Sequence, residues 1–204
     1  MTPSIPTTST TDLSRRNLFR LGAVGTAAVA TTAVVAAPAK ADPVWSEEFM
    51  TRIETHQGFD LHNMTPTQVD NAKFIIAIGK AHGVDALGIQ MAIATSIVEA
   101  WLYNYGPEVD HDSGGMFQQR PATGWGTYDQ VRNKKLATEA FLGFAPHTNN
   151  LGLMQVRPDY HNRPFSDACQ AVQVSAHPER YGQQEGAARQ IWDWWNAEVA
   201  PFQL

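Results

Sequence analysis

The chain has 204 residues, 43% of them apolar and 17% charged, which is enough hydrophobic material for a core and too little charge for a disordered polymer. Lys and Arg total 15 against 20 Asp and Glu, a formal charge of −5 that excludes a broad basic surface for nucleic acid. With 15 Gly and 12 Pro a continuous coiled coil is excluded, and the one cysteine, Cys169, excludes both an intramolecular disulfide framework and a CxxC zinc site.

At the N-terminus, Ser14-Arg15-Arg16-Asn17-Leu18-Phe19-Arg20 sets paired arginines before an uncharged run over residues 21–38, and Ala39-Lys40-Ala41 supplies small residues at signal-peptidase spacing. The stretch resembles a twin-arginine export signal, residues 1–41, with cleavage expected after Ala41 and a mature domain over residues 42–204. A retained membrane anchor is the alternative reading, but the run holds several Thr and Gly and few large aliphatics, so a cleaved signal is expected and no membrane association after cleavage. Cleavage takes away Arg15, Arg16, Arg20 and Lys40 against Asp12 alone, moving the charge from −5 to about −8. The mature protein is expected to be secreted or associated with the cell wall. A lone thiol there fits a small, buried, apolar Cys169.

The mature chain reads as mainly α. A first helix is predicted over residues 46–56, with Ser46 as cap and Glu47 and Glu48 in its first turn. A second starts with Thr65 as cap and Pro66 at the first position, and Gly83 follows its last turn. The third, over residues 85–103, is unlike the others. Nothing from Ala86 to Val98 is charged, and Leu87, Ile89, Met91, Ile93, Ile97 and Val98 point all around a 3.6-residue period, so this helix must be buried on nearly every face. Over residues 106–126 the periodicity vanishes into Gly, Pro, Asp and Trp, which predicts a long ordered loop or short hairpin. Helices are predicted again over 128–144, 166–176 and 181–199, with a polar connection over 149–164.

Glu99 stands out as the first ionisable group after thirteen uncharged residues, near the carboxyl end of the central helix. Apolar surroundings desolvate its anion and the negative end of the helix dipole repels it, so its carboxyl should be easy to keep protonated near neutral pH, as a general acid requires. A Glu that merely emerges into solvent at a helix end fits the position as well.

Three blocks extend the pattern. Thr95-Ser96-Ile97-Val98-Glu99-Ala100 is followed by Asp112-Ser113-Gly114-Gly115-Met116-Phe117-Gln118-Gln119-Arg120-Pro121 with Gly124-Trp125-Gly126-Thr127, and later by Ala171-Val172-Gln173-Val174-Ser175-Ala176-His177-Pro178 with Tyr181. In order, they resemble the lysozyme-like, lytic-transglycosylase-related domains of secreted Gram-positive cell-wall proteins, over residues 72–181. Ala100, Gly114 and Met116 depart from the pattern, which more often has Ser after the Glu and Leu residues in the Gly-Leu-Phe-Gln segment. The resemblance implies a lysozyme-like helical domain that cleaves the β-1,4 bond between N-acetylmuramic acid and N-acetylglucosamine in peptidoglycan, without a cofactor. Glu99 would protonate the leaving oxygen. With a second carboxylate to activate water, from Asp110 or Asp112, the outcome is hydrolysis; without one, the muramyl C6 hydroxyl attacks and a 1,6-anhydro product results, the outcome of a lytic transglycosylase. Asp before Ser-Gly-Gly also suits turn chemistry, which weights the choice towards the lyase.

Gln118 and Gln119 are expected to bring at least one amide to the sugars, and Trp125 either stacks on a sugar face or packs a hinge. Tyr103, four residues beyond Glu99, is expected on the same helix face, where it could orient the carboxyl. Gly152-Leu153-Met154-Gln155-Val156 looks still more like the family's Gly-Leu-Met-Gln segment, yet it follows Glu99 by more than fifty residues and is read as a decoy or as the far side of the cleft. His111, His147, His161 and His177 have no metal-ligand spacing, so no metal is expected. Cys169 and His177, eight apart on one predicted helix, would be separated by about 12 Å along its axis, too far for a thiol–imidazole dyad. The expected partner is the peptidoglycan glycan strand and the expected state a monomer. A non-catalytic wall-binding protein that keeps a lysozyme-like shell is the rival.

Overall fold

The computed structural model describes residues 45–55, 58–106 and 111–204. The expected export signal, His56 and Asp110 lie outside the described residues. Among those described there are nine α-helices and no strand, only the isolated bridges Glu54↔Tyr105 and Gly114↔Gln119, so the class is mainly α.

Ser46 caps α1 (Glu47–Thr51), its Oγ accepting from the Phe49 N–H at 3.1 Å, but the helix stops well short of residue 56. The extended backbone at Arg52 sends Glu54 inward. There the Glu54 N–H donates to the Asn104 carbonyl at 3.0 Å, and its carboxylate takes the Lys134 ammonium at 2.5 Å and the Asn71 amide at 2.7 Å. Lys134 is fully buried, and Asn71 Oδ1 accepts its second hydrogen bond at 2.8 Å. Burial pushes the Lys134 ammonium down to about 8 against the opposing pull of Glu54. A buried pair of this kind gives little net stability, but removing one partner strands the other. It therefore acts as a clasp between the N-terminal segment, α2 (Pro66–Ala81) and α5 (Lys134–Leu142).

The second helix follows the sequence expectation closely. Thr65 and Gln68 form a capping box, Pro66 opens α2 (Pro66–Ala81), and Gly83 turns away with φ +69°. Asp85 then caps α3 (Ala86–Ala100), accepting from the Gly88 N–H at 3.0 Å, and every residue from Gly88 through Ile97 is buried. This rod, uncharged up to Glu99, is the axis of the fold, touched by α2, α5, α7 (Phe165–Gln173), α8 (Glu179–Gln183) and α9 (Glu185–Trp195). It ends at Ala100, three residues before the expected limit. Trp101 (φ 53°) and Leu102 (φ 63°) are both left-handed, a conformation that costs roughly 1–2 kcal/mol for each non-glycine residue. Two buried amides of α2 hold them there: Gln68 Nε2 donates to the Trp101 carbonyl at 2.8 Å and Asn71 Nδ2 to the Leu102 carbonyl at 2.7 Å.

Of the loop that follows, residues 111–126 are described, and there the expected hairpin reduces to the bridge between Gly114 and Gln119. The predicted helix over 128–144 is two, α4 (Tyr128–Val131) and α5 (Lys134–Leu142), because Asn133 caps the second and the buried Arg132 turns back to the loop. Arg132 donates to the carbonyls of Ser113 at 3.1 Å and Gly106 at 3.3 Å and lies 3.5 Å over the Tyr128 ring, pinning both ends of the described loop. After α6 (Leu153–Val156) come α7 (Phe165–Gln173), α8 (Glu179–Gln183) and α9 (Glu185–Trp195), so the helix expected over 181–199 is broken at Gln184. Trp192 and Trp195 pack partly against the core beneath Lys80 and Lys73, while Trp194 is exposed.

Candidate active site

Glu99 lies in the last turn of α3, where the apolar rod meets a cleft of about 910 Å³. Four stretches of chain supply the walls: Val98 and Glu99 from α3, the loop from Ser113 to Trp125, residues 150–156, and residues 171–180. Among the described lining residues Glu99 is the one carboxylate. Burial raises its pKa above the ordinary carboxyl value, and two weaker effects oppose this: a hydrogen bond from the Tyr181 hydroxyl and the positive charge of Arg180. The Tyr181 O–H donates to Glu99 Oε1 at 2.6 Å. The ring of Tyr181 is fully buried, and burial together with the neighbouring Glu99 charge pushes its own pKa up, so the hydroxyl keeps its proton and remains a donor. The arrangement shifts the balance towards the neutral carboxyl and offers a short hydrogen bond to the anion.

The glutamines face the same space in different ways. Gly115 adopts φ +77°, and a Cβ there would lie 2.0 Å from the Val131 carbonyl oxygen, so this reversal requires glycine. It brings Gln118 to the cleft with its own φ at 45° and its side-chain amide on the Gly115 carbonyl at 2.9 Å. Gln119 also lines the cleft but is nearly buried; its Nε2 braces the Ala137 carbonyl at 3.1 Å, and its Oε1 has no hydrogen-bond partner among the described residues. Trp125 lines the cleft and packs partly against the core, so both the stacking and the hinge-packing expectations stay open for it.

Two expected site residues are elsewhere. Tyr103 does not share a helix face with Glu99, because the left-handed residues at 101 and 102 end the helix first; its hydroxyl pairs with Thr65 Oγ1 at 2.9 Å in the interior. Asp112 turns into its own loop, taking the Ala122 N–H at 2.5 Å and Arg120 Nε at 3.0 Å, and these bonds hold its carboxyl below the usual range. The role left for it is turn chemistry.

The far wall holds residues that spacing alone did not single out. Leu151 and Val156 flank the Gly-Leu-Met-Gln segment and line the cleft, while Gln155 turns back to accept from the Gly152 N–H at 3.0 Å. Val174 ends α7 in the left-handed region (φ 52°) and is 79% exposed at the cleft edge; for a β-branched residue this is strained backbone of the kind that collects at functional sites. Gln173 ties this edge to the opposite one by donating to the Phe117 carbonyl at 3.0 Å. The partner of Glu99 comes from a position 82 residues away, a pairing with no local signal. The block containing Tyr181 was the one hint.

Cys169 is buried, with its thiol pushed up to about 12 by desolvation, and α7 ends before the exposed His177. Among the described residues no group of three or more His, Cys, Asp or Glu side chains is placed to hold a metal ion, and no helix is long and apolar enough to cross a membrane. No protein-family model matches the chain, and no curated protein matches it either.

Proposed function

We propose that the protein is an exported enzyme that cleaves peptidoglycan glycan strands at the β-1,4 bond after N-acetylmuramic acid, as a lytic transglycosylase with Glu99 as acid and then base. The observation that carries this reading is a cleft carboxyl, the one among the described lining residues, whose pKa is raised by burial and whose anion already has a hydrogen-bond donor. In this mechanism Glu99 gives its proton to the glycosidic oxygen as the C1–O bond breaks. The Glu99 carboxylate, steadied by the Tyr181 O–H, then takes the proton of the muramyl C6 hydroxyl while O6 bonds to C1. No water is consumed, and the acid is restored. Positive charge at C1 forms in a cleft whose amides, Gln118 and Gln119, suit the N-acetyl and hydroxyl groups of amino sugars. The lysozyme-like architecture suggested by the three sequence blocks belongs to the same proposal.

Hydrolysis needs a second carboxylate placed for water; Asp112 is committed to Arg120 and Ala122, and Asp110 lies outside the described residues. Among the described residues this favours the lyase outcome. Incubating the mature protein with purified sacculi and analysing the products by mass distinguishes the readings: anhydromuropeptides for the lyase, new reducing ends for a hydrolase, and intact strands that pull the protein down for a binder. Glu99→Gln is expected to lower turnover by at least about a hundredfold while sparing binding. Full turnover in that variant would remove Glu99 from the chemistry.

A further inference from the structure

The described arginines are, with one exception, matched within the fold. Arg52, Arg157, Arg163 and Arg189 each face a carboxylate, on Glu54, Asp167, Asp159 and Glu185, at 2.8–3.4 Å. Arg120 is held by Asp112, and the buried Arg132 is spent on backbone carbonyls. Arg180 alone has neither kind of partner among the described residues, and it stands exposed on the cleft wall. Its place is set by its neighbour. It immediately precedes Tyr181, whose buried ring anchors α8 and whose hydroxyl reaches Glu99. The other basic side chains of the lining have acidic neighbours, Asp112 for Arg120 and Glu179 for His177 at 3.7 Å. Among the described residues, one guanidinium without an ion pair or hydrogen bond thus stands beside the one carboxyl of the cleft lining.

Resting on the reading of the cleft as a glycan-cleaving site, we propose that Arg180 anchors a carboxylate carried by the muramyl side of the strand, so that the enzyme selects acidic glycan over neutral glycan. A guanidinium fork matches a carboxylate with two parallel hydrogen bonds, which fixes orientation as well as charge. The group can be the lactyl carboxylate of a peptide-free muramyl residue or a free carboxylate of a stem peptide. Pairing has a second consequence. A ligand anion on Arg180 offsets the positive charge that favours ionised Glu99, and so helps keep the acid protonated when substrate is in place.

The test compares the mature wild-type protein with Arg180→Gln and Arg180→Lys on three probes: peptide-stripped glycan strands, the same strands with their carboxylates converted to neutral amides, and stem-bearing strands. Binding is read by calorimetry and cleavage by product mass. The wild type is expected to half-saturate on a carboxylate-bearing strand at a concentration about tenfold below that for the amidated one. Arg180→Gln should erase that difference through KM, binding the charged strands as the wild type binds the amidated ones, and Arg180→Lys should retain part of it. Preference for stripped strands assigns the lactyl carboxylate, and preference confined to stem-bearing strands assigns the peptide carboxylate. Equal binding of charged and amidated strands by the wild type, or an unchanged preference in Arg180→Gln, overturns the assignment; cleavage without preference leaves the Glu99 reading standing. Failure of the wild type to bind or cut any strand overturns both.

Discussion

Removing the Tyr181 hydroxyl tests the acid more finely than removing the acid itself. Tyr181→Phe keeps the buried ring and deletes one 2.6 Å bond to Glu99 Oε1. Hydrogen bonds to charged groups are each worth about 1.5–3 kcal/mol, and the open cleft lets water replace part of this one, which favours the lower end. When Glu99 gives up its proton the bond strengthens, so its loss falls on the transition state; about 1.4 kcal/mol corresponds to a tenfold fall in turnover, with KM little changed. The pH dependence follows from the same bond. In the proposed mechanism Glu99 must be protonated to start the reaction, so activity is expected to be full below its folded pKa and lost above it. The hydroxyl lowers that raised pKa, so Tyr181→Phe lifts it further and moves the alkaline limb of the pH–rate profile upward. The variant should be slower on the plateau, and the gap to wild type should narrow as pH rises through the limb. Initial rates on solubilised strands across the pH range, with carbon-detected NMR titration of the Glu99 carboxyl, measure both quantities. A limb that stays put or moves down refutes the role given to Tyr181.

Three further outcomes are expected. Because the folded pKa of Glu99 is raised, its contribution to stability is full in acid and falls as pH climbs from the ordinary carboxyl range through the folded value; Glu99→Gln should therefore be more stable than wild type at neutral pH by roughly 1 kcal/mol, or about 2–4 °C in Tm, and lose that advantage in acid. An equal or lower Tm at neutral pH would contradict the burial of the carboxyl. Lys134→Met leaves Glu54 and Asn71 Oδ1 without their buried cation, at a cost of about 3–5 kcal/mol in urea unfolding, and adding Glu54→Gln should recover part of it; additive losses would deny the clasp. Gly115→Ala meets both a positive φ and the Val131 carbonyl, so it should abolish cleavage and strand binding while far-UV dichroism keeps most of the helical signal; retained binding would show that the reversal does not shape the cleft.

Much of the scaffold could be read residue by residue because its signals are local. Thr65 with Pro66 and Gln68 caps α2 by hydrogen bonds inside four residues, and a stretch from Ala86 to Val98 without charge has no stable place but the interior. The standing of Glu99 came from the same source, since desolvation and the helix dipole both follow from its position at the end of that stretch. Helix ends were less legible. Gln68 and Asn71 stop α3 from another helix, and Asn133 splits a segment whose periodicity looked continuous.

What only the tertiary structure decided was the company Glu99 keeps. Tyr181 and Arg180 arrive from about eighty residues downstream, Tyr103 is carried away by two left-handed residues, and Asp112 spends its charge on its own loop. Pattern and propensity act over a turn or two of chain, and burial can be inferred from them. A hydrogen bond between distant side chains depends on how helices pack, so the candidate carboxyl was visible in the sequence and its partners only in the fold.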